Sequence, residues 1–563
     1  MKSQRKSQRR PLALVLALLM VLTVALTSCA APSDPSAPST TTPPSNSESA
    51  SNGDTAQPEK KDEAKVVTMA MLDTWTSLYP YNGSGGERNT VVQSMIFDRL
   101  AVVGSDGVIY PQLSDKWEVS DDYKTFTLHI AENAKWHDGT PVTAHDVEFT
   151  YKYFSNASAQ CEMRPNSRYV AGTNEDGTCV TDNSIEVTAL DDHQVSIVLK
   201  EPASAETFFS TATCFILPKH LLEGKDPATI ANDAFWLNPI GSGPLKFESM
   251  IDGERISYSA NKDYFLGAPD FDRFVIRVVP QSGMLTGLMS GEIDMLAGGQ
   301  LGALTLSDFE MAKGESYLTV EAVPSYTHHY ISIDNSNPKM TQDVRIAIDR
   351  AVNKQRIVNE ILGGYGSVSV GPWSVDHPYF NPDLKVDTYN PDEAKELLAK
   401  AGWDSNTTLL LSVPANNTFR EQAAALIQQD LKAVGMNVEI RQYDSAAQFE
   451  AILNGSVELG VVGSAASVEP NNPIINLFDI YGAWCFGRFE SDKYLQYFNK
   501  GGSFYETSER LPVYYELQEL LAEEMPYVYL CCPNTLYAYN ARLSNVKALN
   551  FTTYYPVWEW AVA

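Results

Sequence analysis

Hydrophobic and polar positions alternate along the first half of the chain, and the second half mixes this alternation with a helical period. From Val66 to about Pro280, short segments alternate apolar and polar residues between polar turns, which predicts β-strands. The clearest segments are KTFTLHI (124–130), SIEVTAL (184–190), QVSIVLK (194–200), LKFESM (245–250) and FVIRVV (274–279). From about 281 to 525, strand-like segments alternate with helical ones, an order typical of an α/β layer.

The region 409–463 shows the clearest strand–helix pattern. After the strand LLLSVP we expect a helix with Thr418 as N-cap, Glu421 completing the capping box and Gly435 just beyond the end. The remaining elements of this region are NVEIRQY (437–443), SAAQFEAILNG (445–455, opened by Ser445 and Gln448) and ELGVVG (458–463). Short connections between alternating strands and helices predict a right-handed parallel layer.

Two further patterns complete the predicted architecture. A helix begins with Asn390 as N-cap and Pro391 in its first turn, and it ends at Gly402. The segments 527–532 and 535–540 are strand-like again and are expected to return to the first part of the fold. The predicted fold class is therefore α/β, with two lobes joined by crossing strands.

The start of the sequence resembles a bacterial secretion signal. Basic residues precede an apolar run from Leu12 to Leu26, which is shorter than the ~20 residues that span a bilayer. The following LTSCA resembles a lipobox, so we predict a signal peptide at 1–28 and a lipid anchor on Cys29; plain secretion and an uncleaved membrane helix are the alternatives. Residues 29–65 are rich in Pro, Ser and Thr and predict a disordered tether.

The charge balance excludes one class of partner. The chain has a net charge of −28 and a pI of about 4.7. Nucleic acids and anionic membrane faces attract clustered Lys and Arg, and an acidic surface repels them. We therefore expect no nucleic-acid partner.

Six cysteines besides Cys29 are expected to meet an oxidising compartment. Cys161 and Cys179 bracket a polar loop and form the predicted disulfide. The sequence leaves open the pairing of the others, which are Cys214, Cys485, Cys531 and Cys532. No cysteine–histidine cluster has zinc-site spacing, so we expect no metal and no cofactor.

Two His-Asp pairs, at 137–138 and 145–146, raise the question of a metal or acid–base site. The Asp138-Gly139 pair is typical of a tight turn, since glycine adopts positive φ without strain. Thr143 is expected to cap a helix, with Asp146 completing the capping box. Turn and cap chemistry explain both pairs, so we interpret this stretch as scaffold.

That stretch lies in a region that resembles a known family. Residues 113–154 resemble the signature of the large extracytoplasmic solute-binding proteins of ABC importers, the peptide- and nickel-type family 5. The resemblance continues, in the order of the family, through PIGSGPLKFES (239–249), GLMSGEIDML (287–296), 337–358, YNPDEAKELLAKAGW (389–403) and 514–530. These matches cover about residues 70 to 545.

The resemblance implies two α/β lobes that close by a hinge on a solute and deliver it to a membrane permease. With the hydrophobic pattern, it predicts lobe 1 at 66–283 with a strand-rich subdomain at about 109–200, lobe 2 at 284–525, and a return segment at 526–563. The sequence lacks GxSxG, P-loop and HExxH motifs, so we do not expect an enzyme. We interpret GSGGER (83–88) as a flexible loop.

The resemblance also suggests ligand-binding positions. Peptide binders of the family carry a Trp and an Asp after the strand that matches 458–463, where this chain has Ser464 and Ala466. A shift of the alignment would instead bring Glu469 there. Strand alternation sends either His328 or His329 towards the cleft. The other candidates, each with core packing as the alternative, are Trp75, Tyr79, Tyr326, Trp373 and Trp484.

The predicted function is that of a monomeric, lipid-anchored receptor on the outer face of the cell membrane. It would capture oligopeptides or a similar solute for an ABC permease. An oligosaccharide, a metal complex or haem are alternative solutes. An extracytoplasmic sensor or adhesion lipoprotein with the same fold, and an extracytoplasmic hydrolase, are alternative functions.

Overall fold

A computed structural model describes residues 64–81, 86–104, 106–159, 161, 167–415, 417–464, 467–471, 474–478, 485–488, 493–547 and 556–563. The predicted signal peptide, the tether up to residue 63 and residues 83–85 of the loop predicted at 83–88 lie outside these residues. So do three candidate residues, Cys29, Ala466 and Trp484.

The strands, in chain order, are β1 (Val66–Met71), β2 (Ala101–Val103), β3 (Ile109–Pro111), β4 (Ser114–Val119), β5 (Thr125–Ile130), β6 (Val187–Ala189), β7 (Gln194–Val198), β8 (Leu245–Ile251), β9 (Arg255–Ala260), β10 (Arg273–Val278), β11 (Met295–Leu296), β12 (Leu318–Val323), β13 (His328–Ile333), β14 (Gly366–Val368), β15 (Thr408–Pro414), β16 (Asn437–Tyr443), β17 (Leu459–Ser464), β18 (Tyr527–Pro533), β19 (Thr535–Asn540), β20 (Leu543–Ser544) and β21 (Ala561–Val562).

The α-helices are α1 (Glu87–Ser94), α2 (Ala144–Phe154), α3 (Ala205–Thr211), α4 (Lys219–Leu222), α5 (Gln281–Ser290), α6 (Leu306–Ala312), α7 (Gln342–Ala351), α8 (Lys354–Ile361), α9 (Pro391–Lys400), α10 (Thr418–Ala433), α11 (Ser445–Asn454), α12 (Lys493–Gly502) and α13 (Thr507–Glu524).

Lobe 1 is built on a seven-stranded sheet with the order β12-β19-β11-β1-β10-β9-β8. The strand β1 pairs in parallel with β10 on one side and with β11 on the other. Its sequence VVTMAM is a nearly continuous apolar run with four fully buried residues. Such a run is typical of a central parallel strand that is covered on both faces.

Lobe 2 is built on a six-stranded sheet with the order β14-β18-β13-β17-β15-β16. The strand β15 pairs in parallel with both β16 and β17, which confirms the parallel layer predicted for 409–463. The helices α7, α9 and α10 contribute buried apolar side chains to one core together with this sheet. The apolar stripe of α10, including Ile427 and Leu431, faces this core.

The strand-rich subdomain has a four-stranded antiparallel sheet with the order β4-β5-β7-β6. Helix α3 packs on this sheet, because Phe208 stacks on Phe126 of β5 with ring centroids 4.1 Å apart. Phe209 of the same helix packs against Trp117 of β4 at 4.7 Å. The subdomain therefore carries α3 as part of its own core.

The strand pairing moves both predicted lobe boundaries. The strands β11 and β12, predicted to belong to lobe 2, pair in the sheet of lobe 1. The strand β18, predicted to return to lobe 1, instead pairs with β13 in lobe 2. Lobe 2 therefore extends from His328 to Pro533. Periodicity shows that a segment is a strand, but the sheet that it joins depends on distant partners.

Local structure follows the sequence closely at helix starts and turns. Gly139 adopts φ 90° in the predicted turn. The Asp146 carboxylate accepts a hydrogen bond from the Thr143 N–H at 2.8 Å, which confirms the capping box of α2. Two N-caps lie one residue earlier than predicted: Asn417 caps α10, and Asp444 caps α11.

The predicted disulfide between Cys161 and Cys179 is absent. Cys179 has a free thiol, and its backbone N–H donates to the carbonyl of Ser155 at 2.7 Å. Burial raises the pKa of the Cys214 thiol to about 12, and the next largest contribution comes from the charge of Cys161. Cys161 therefore lies within electrostatic range of Cys214. Spacing in the sequence did not indicate this neighbour.

Candidate functional site

The chain crosses between the two sheets at the carboxyl edges of their parallel strands. The strand β12 ends at Val323 on this edge of lobe 1, and β13 begins at His328 opposite Ser464, the last residue of β17. The second crossing lies between Pro533 and Thr535. Both crossings join the same two edges, so these edges face each other. Open α/β sheets bind ligands at this edge.

At the carboxyl edge of lobe 2, three residues from three elements meet. They are His329 of β13, Arg420 of α10 and Gly463 of β17. A Cβ atom added to Gly463 would lie 2.7 Å from Nδ1 of His329 and 2.8 Å from Nη2 of Arg420. Only glycine leaves room for the guanidinium and the imidazole to lie over this backbone.

Helix α10 fixes the position of Arg420. Its N-cap Asn417 accepts the Arg420 backbone N–H at 3.0 Å, which places Arg420 in the first turn. The neighbouring Phe419 packs on His329 with ring centroids 4.3 Å apart. The positive end of a helix dipole disfavours a cation in the first turn. Arg420 therefore holds a position that the helix dipole disfavours for a cation.

The electrostatics of this cluster depend mainly on Arg420. Burial, followed by the charge of Arg420, lowers the pKa of His329 to about 3, so this imidazole is neutral at pH 7. Burial lowers the pKa of Arg420, and Tyr330 opposes this effect; a guanidinium nevertheless stays protonated. Among the described residues, no carboxylate acts on Arg420, and its Nε has no hydrogen-bond partner.

The predicted candidates lie at the two edges, but most of them are buried. His328 is fully buried, and its ring packs against Tyr330 with centroids 5.4 Å apart. Trp75 and Tyr79 follow β1 at the edge of lobe 1, where Trp75 donates to the Met250 sulfur at 3.0 Å. Tyr79 packs against the ring of Trp236 at 4.9 Å. These contacts favour core packing for all three side chains.

Two further candidates pack beside the first crossing. Tyr326 lies in the crossing segment and packs on His377 with ring centroids 4.7 Å apart. Trp373 is fully buried against Phe498 and Tyr514. Both contacts favour the alternative of core packing over a stacking platform for the ligand.

Glu469 does not provide the acid that a shifted alignment would have placed in the cleft. Its carboxylate forms an ion pair with Nη2 of Arg510 at 2.7 Å. Only 1% of its side chain is exposed. A ligand ammonium would have to compete with a buried guanidinium for this carboxylate.

Arg420 is not among the residues predicted from the sequence, where one signal pointed to it. An arginine at the third position of a helix opposes the helix dipole, so its charge needs another explanation. The His-Asp stretch has a structural role, as predicted. His137 accepts the Gly241 N–H at 3.2 Å, and burial lowers its pKa to about 4.

Two other features are absent from the described part of the chain. It contains no group of three or more His, Cys, Asp or Glu side chains arranged to hold a metal ion. It also contains no helix with the length and apolar character needed to cross a membrane.

Comparison with known proteins supports the family suggested by the sequence. The family described as bacterial extracellular solute-binding proteins, family 5 Middle, matches residues 108–484. The oligopeptide-binding protein AppA of Bacillus subtilis (strain 168) is 24% identical over 538 residues, which cover 90% of this chain and 93% of AppA. A structure of AppA from Bacillus subtilis in complex with a nonapeptide has a TM-score of 0.66 at 23% identity, covering 89% of this chain and 100% of that one.

Two other solved structures share the fold. The ABC transporter substrate-binding protein CtaP of Listeria monocytogenes has a TM-score of 0.77 at 23% identity, with 89% of this chain and 100% of CtaP covered. NikZ from Campylobacter jejuni, solved in complex with Ni(L-His), has a TM-score of 0.69 at 22% identity and covers 88% of this chain and 99% of its own. The predicted two-lobed α/β fold is confirmed. Because the family match spans more than half of the sequence, the chain belongs to the bacterial extracellular solute-binding proteins of family 5.

Proposed function

We propose that the protein is the receptor of an ABC importer and that it captures peptides through their carboxylate at Arg420. The observation that carries this proposal is the half-buried guanidinium at the carboxyl edge of lobe 2, with no carboxylate partner among the described residues. A charge-assisted, bidentate contact to a carboxylate is the interaction that a guanidinium forms best.

The charge of the whole protein strengthens this argument. A net charge of −28 repels an anionic ligand at long range. A carboxylate can therefore be held only where a local cation outweighs that field, and Arg420 supplies one at the expected binding edge. The neutral imidazole of His329 beside it adds a hydrogen-bonding group without adding charge.

Peptide is the favoured solute class because relatives named as oligopeptide- and dipeptide-binding proteins match most of the chain. A metal complex with an amino-acid ligand, like the Ni(L-His) of NikZ, would also present a carboxylate. A bound peptide and a bound metal complex differ in the mass of the ligand that stays with the protein. The receptor is further proposed to act as a monomer, without turnover, held on the outer face of the membrane by a lipid on Cys29.

The first test is native mass spectrometry of the protein purified without denaturation from residue 30 onwards. A retained set of peptide masses supports the proposal, and a single nickel-containing mass replaces peptide by a metal complex. A retained ligand without any carboxylate contradicts the role of Arg420.

The second test compares two tetrapeptide mixtures that differ only in a free or an amidated carboxyl terminus. The free-acid mixture is expected to raise the thermal midpoint, because a ligand that binds only the folded state stabilises it. Arg420→Gln is expected to abolish that rise. Lys432→Gln, which changes an exposed cation in the last turn of the same helix, is the matched control. Equal stabilisation by the amidated mixture would exclude a carboxylate subsite.

A further inference from the structure

The strand-rich subdomain and lobe 2 touch through a buried group of charged side chains. Glu206 of α3 comes from the subdomain side, and Arg510 of α13 comes from lobe 2. Nη1 of Arg510 lies 3.4 Å from Oε2 of Glu206, and the hydroxyl of Tyr379 donates to the same oxygen at 2.9 Å. Arg510 is fully buried, and 13% of the Glu206 side chain is exposed. This contact joins two parts of the fold that have separate sheets.

A second carboxylate shares the same guanidinium. Glu469 of lobe 2 accepts from Nη2 of Arg510 at 2.7 Å, and Thr207 of α3 donates to the same Glu469 oxygen at 3.3 Å. Nη1 of Arg510 also donates to the hydroxyl of Ser204, the N-cap of α3, at 3.0 Å. Ser204, Glu206 and Thr207, at the start of α3, thus all contact lobe 2.

Apolar contacts surround this charged centre. Tyr123, in the turn between β4 and β5, stacks on Tyr505 just before α13, with ring centroids 4.8 Å apart and planes inclined by 9°. Gly107 lies against Val468 and Pro378, since a Cβ atom on it would be 3.5 Å and 3.7 Å from their side chains. The charged group is therefore one of several contacts between lobe 2 and the segment from Gly107 to Thr207.

The charges at that centre do not cancel. One guanidinium faces two carboxylates, and Glu469 has the shorter contact with it. Glu206 is therefore the less compensated acid. Removing an incompletely paired carboxylate from water is costly, and a proton on it removes that cost.

Building on the receptor function proposed above, we propose that Glu206 is a proton-binding latch: the subdomain and lobe 2 close on each other when its carboxyl is protonated and separate more readily when it is charged. A protonated Glu206 still accepts the hydrogen bonds from Arg510 and Tyr379 on Oε2. The closed form of the receptor would then be more populated in an acidic medium, and the solute would be released more readily at neutral pH.

The raised pKa of Glu206 in the closed contact supports closing at lower pH. Burial raises its pKa from 4.5 to about 7; the charge of Arg510 and the hydrogen bond from Tyr379 oppose the rise, and the charge of Glu469 adds to it. Among the described residues, the charge of Glu206 also acts on the hydroxyls of Tyr326 and Tyr514. A carboxyl exposed by opening returns to its ordinary pKa.

The direction of the pH effect follows from the pKa of Glu206, which is about 7 in the closed form and 4.5 when the carboxyl is exposed. The closed form binds the proton more tightly, so closing becomes more favourable as the pH falls from about 7 towards 4.5. Below that range both forms are protonated, and the effect levels off. Each unit of pKa difference corresponds to about tenfold in the closing equilibrium. Between pH 8 and pH 5.5 we expect the closing constant to rise about tenfold or more.

Small-angle X-ray scattering tests the latch on the whole chain carrying Cys29→Ser, which needs no detergent, after unfolding and refolding to remove any retained solute. The protein with the native Glu206 is expected to have a smaller radius of gyration at pH 5.5 than at pH 8. Glu206→Gln, which is always neutral and keeps a hydrogen-bond acceptor, is expected to be compact at both values. Glu201→Gln, an exposed acid five residues earlier, is the matched control and is expected to follow the wild type.

A second variant tests the same residue from the other side of the contact. Tyr379→Phe removes a hydrogen bond that lowers the pKa of Glu206, so the midpoint of compaction is expected to move to higher pH. An unchanged wild-type radius between the two pH values, or a Glu206→Gln variant that responds like the wild type, would overturn the latch. Because no solute is present, these outcomes are independent of whether Arg420 binds a carboxylate.

Discussion

Asp349, on α7 of lobe 2, shows how strongly a single buried charge depends on its neighbours. Its carboxylate is 2% exposed and contacts Nζ of Lys354, itself 3% exposed, at 2.5 Å. Nζ of Lys354 also donates to the hydroxyl of Thr388 at 3.1 Å. Burial alone would raise the pKa of Asp349, but the charges of Lys354 and Arg350 hold it below its usual value. This stabilising contribution is present at neutral pH and is lost as the pH falls below about 3.8.

Replacing Asp349 by alanine is therefore expected to lower the free energy of unfolding strongly. The variant leaves the Lys354 ammonium buried without its closest counter-charge, and such losses cost about 3–5 kcal/mol. Urea unfolding at pH 7 measures the change in the free energy of unfolding. Asp343→Ala, on the same helix, removes the partner of Lys400, which is 70% exposed, and is expected to cost less than about 1 kcal/mol. Similar losses in the two variants would contradict the buried-pair argument.

At the scale of elements, the helix starts follow local chemistry. Asp146 closes the capping box of α2, and its second oxygen accepts the backbone N–H of Lys219, the first residue of α4, at 2.9 Å. One carboxylate therefore satisfies the starts of two helices. The sequence indicated the first role through the spacing of Thr143 and Asp146. The second role joins positions 73 residues apart, and no local pattern indicates it.

We expect Asp146→Ala to destabilise the fold more than the loss of a cap that serves one helix. Asn390 is such a cap, because it accepts the Glu393 N–H at 3.2 Å at the start of α9. Losing an ordinary N-cap costs about 1 kcal/mol. Urea unfolding of Asp146→Ala and Asn390→Ala compares the two losses directly. An Asn390→Ala variant that loses as much stability as Asp146→Ala would show that the contact to α4 contributes little.

At the scale of the whole molecule, the proposed attachment to the membrane depends on a single predicted modification, a lipid on Cys29. The lipobox-like LTSCA predicts that Cys29 carries a lipid and that the folded part is tethered through residues 29–65. Cys29→Ser is expected to move the protein from the membrane fraction to the soluble fraction, since a lipid chain contributes about 0.8 kcal/mol per buried CH₂. Immunoblotting of the two fractions measures this. Cys179→Ser, which changes a free thiol, should remain with the membrane; membrane retention of Cys29→Ser would argue against the anchor.

The sequence by itself determined the type of most strands and helices in this protein. The parallel run of 409–463, the Asp138-Gly139 turn and the capping box of α2 depend on residues within a few positions of each other. Propensity, hydrophobic period and capping act at that range, so a sequence shows them directly. The family order of its motifs also indicated two lobes and a solute-binding role.

Only the tertiary structure decided which sheet each strand joins and which side chains meet at the cleft. The strands β18 and β19 are separated by one residue, Asn534, yet they belong to different lobes. The aromatic ring of Trp373 could serve as a stacking platform for a ligand, but it is buried by partners more than a hundred positions away. Arg420, His329 and Gly463 meet because the order of strands brings distant segments to one edge. Contacts between residues far apart in the chain decide these features, and no local pattern records them.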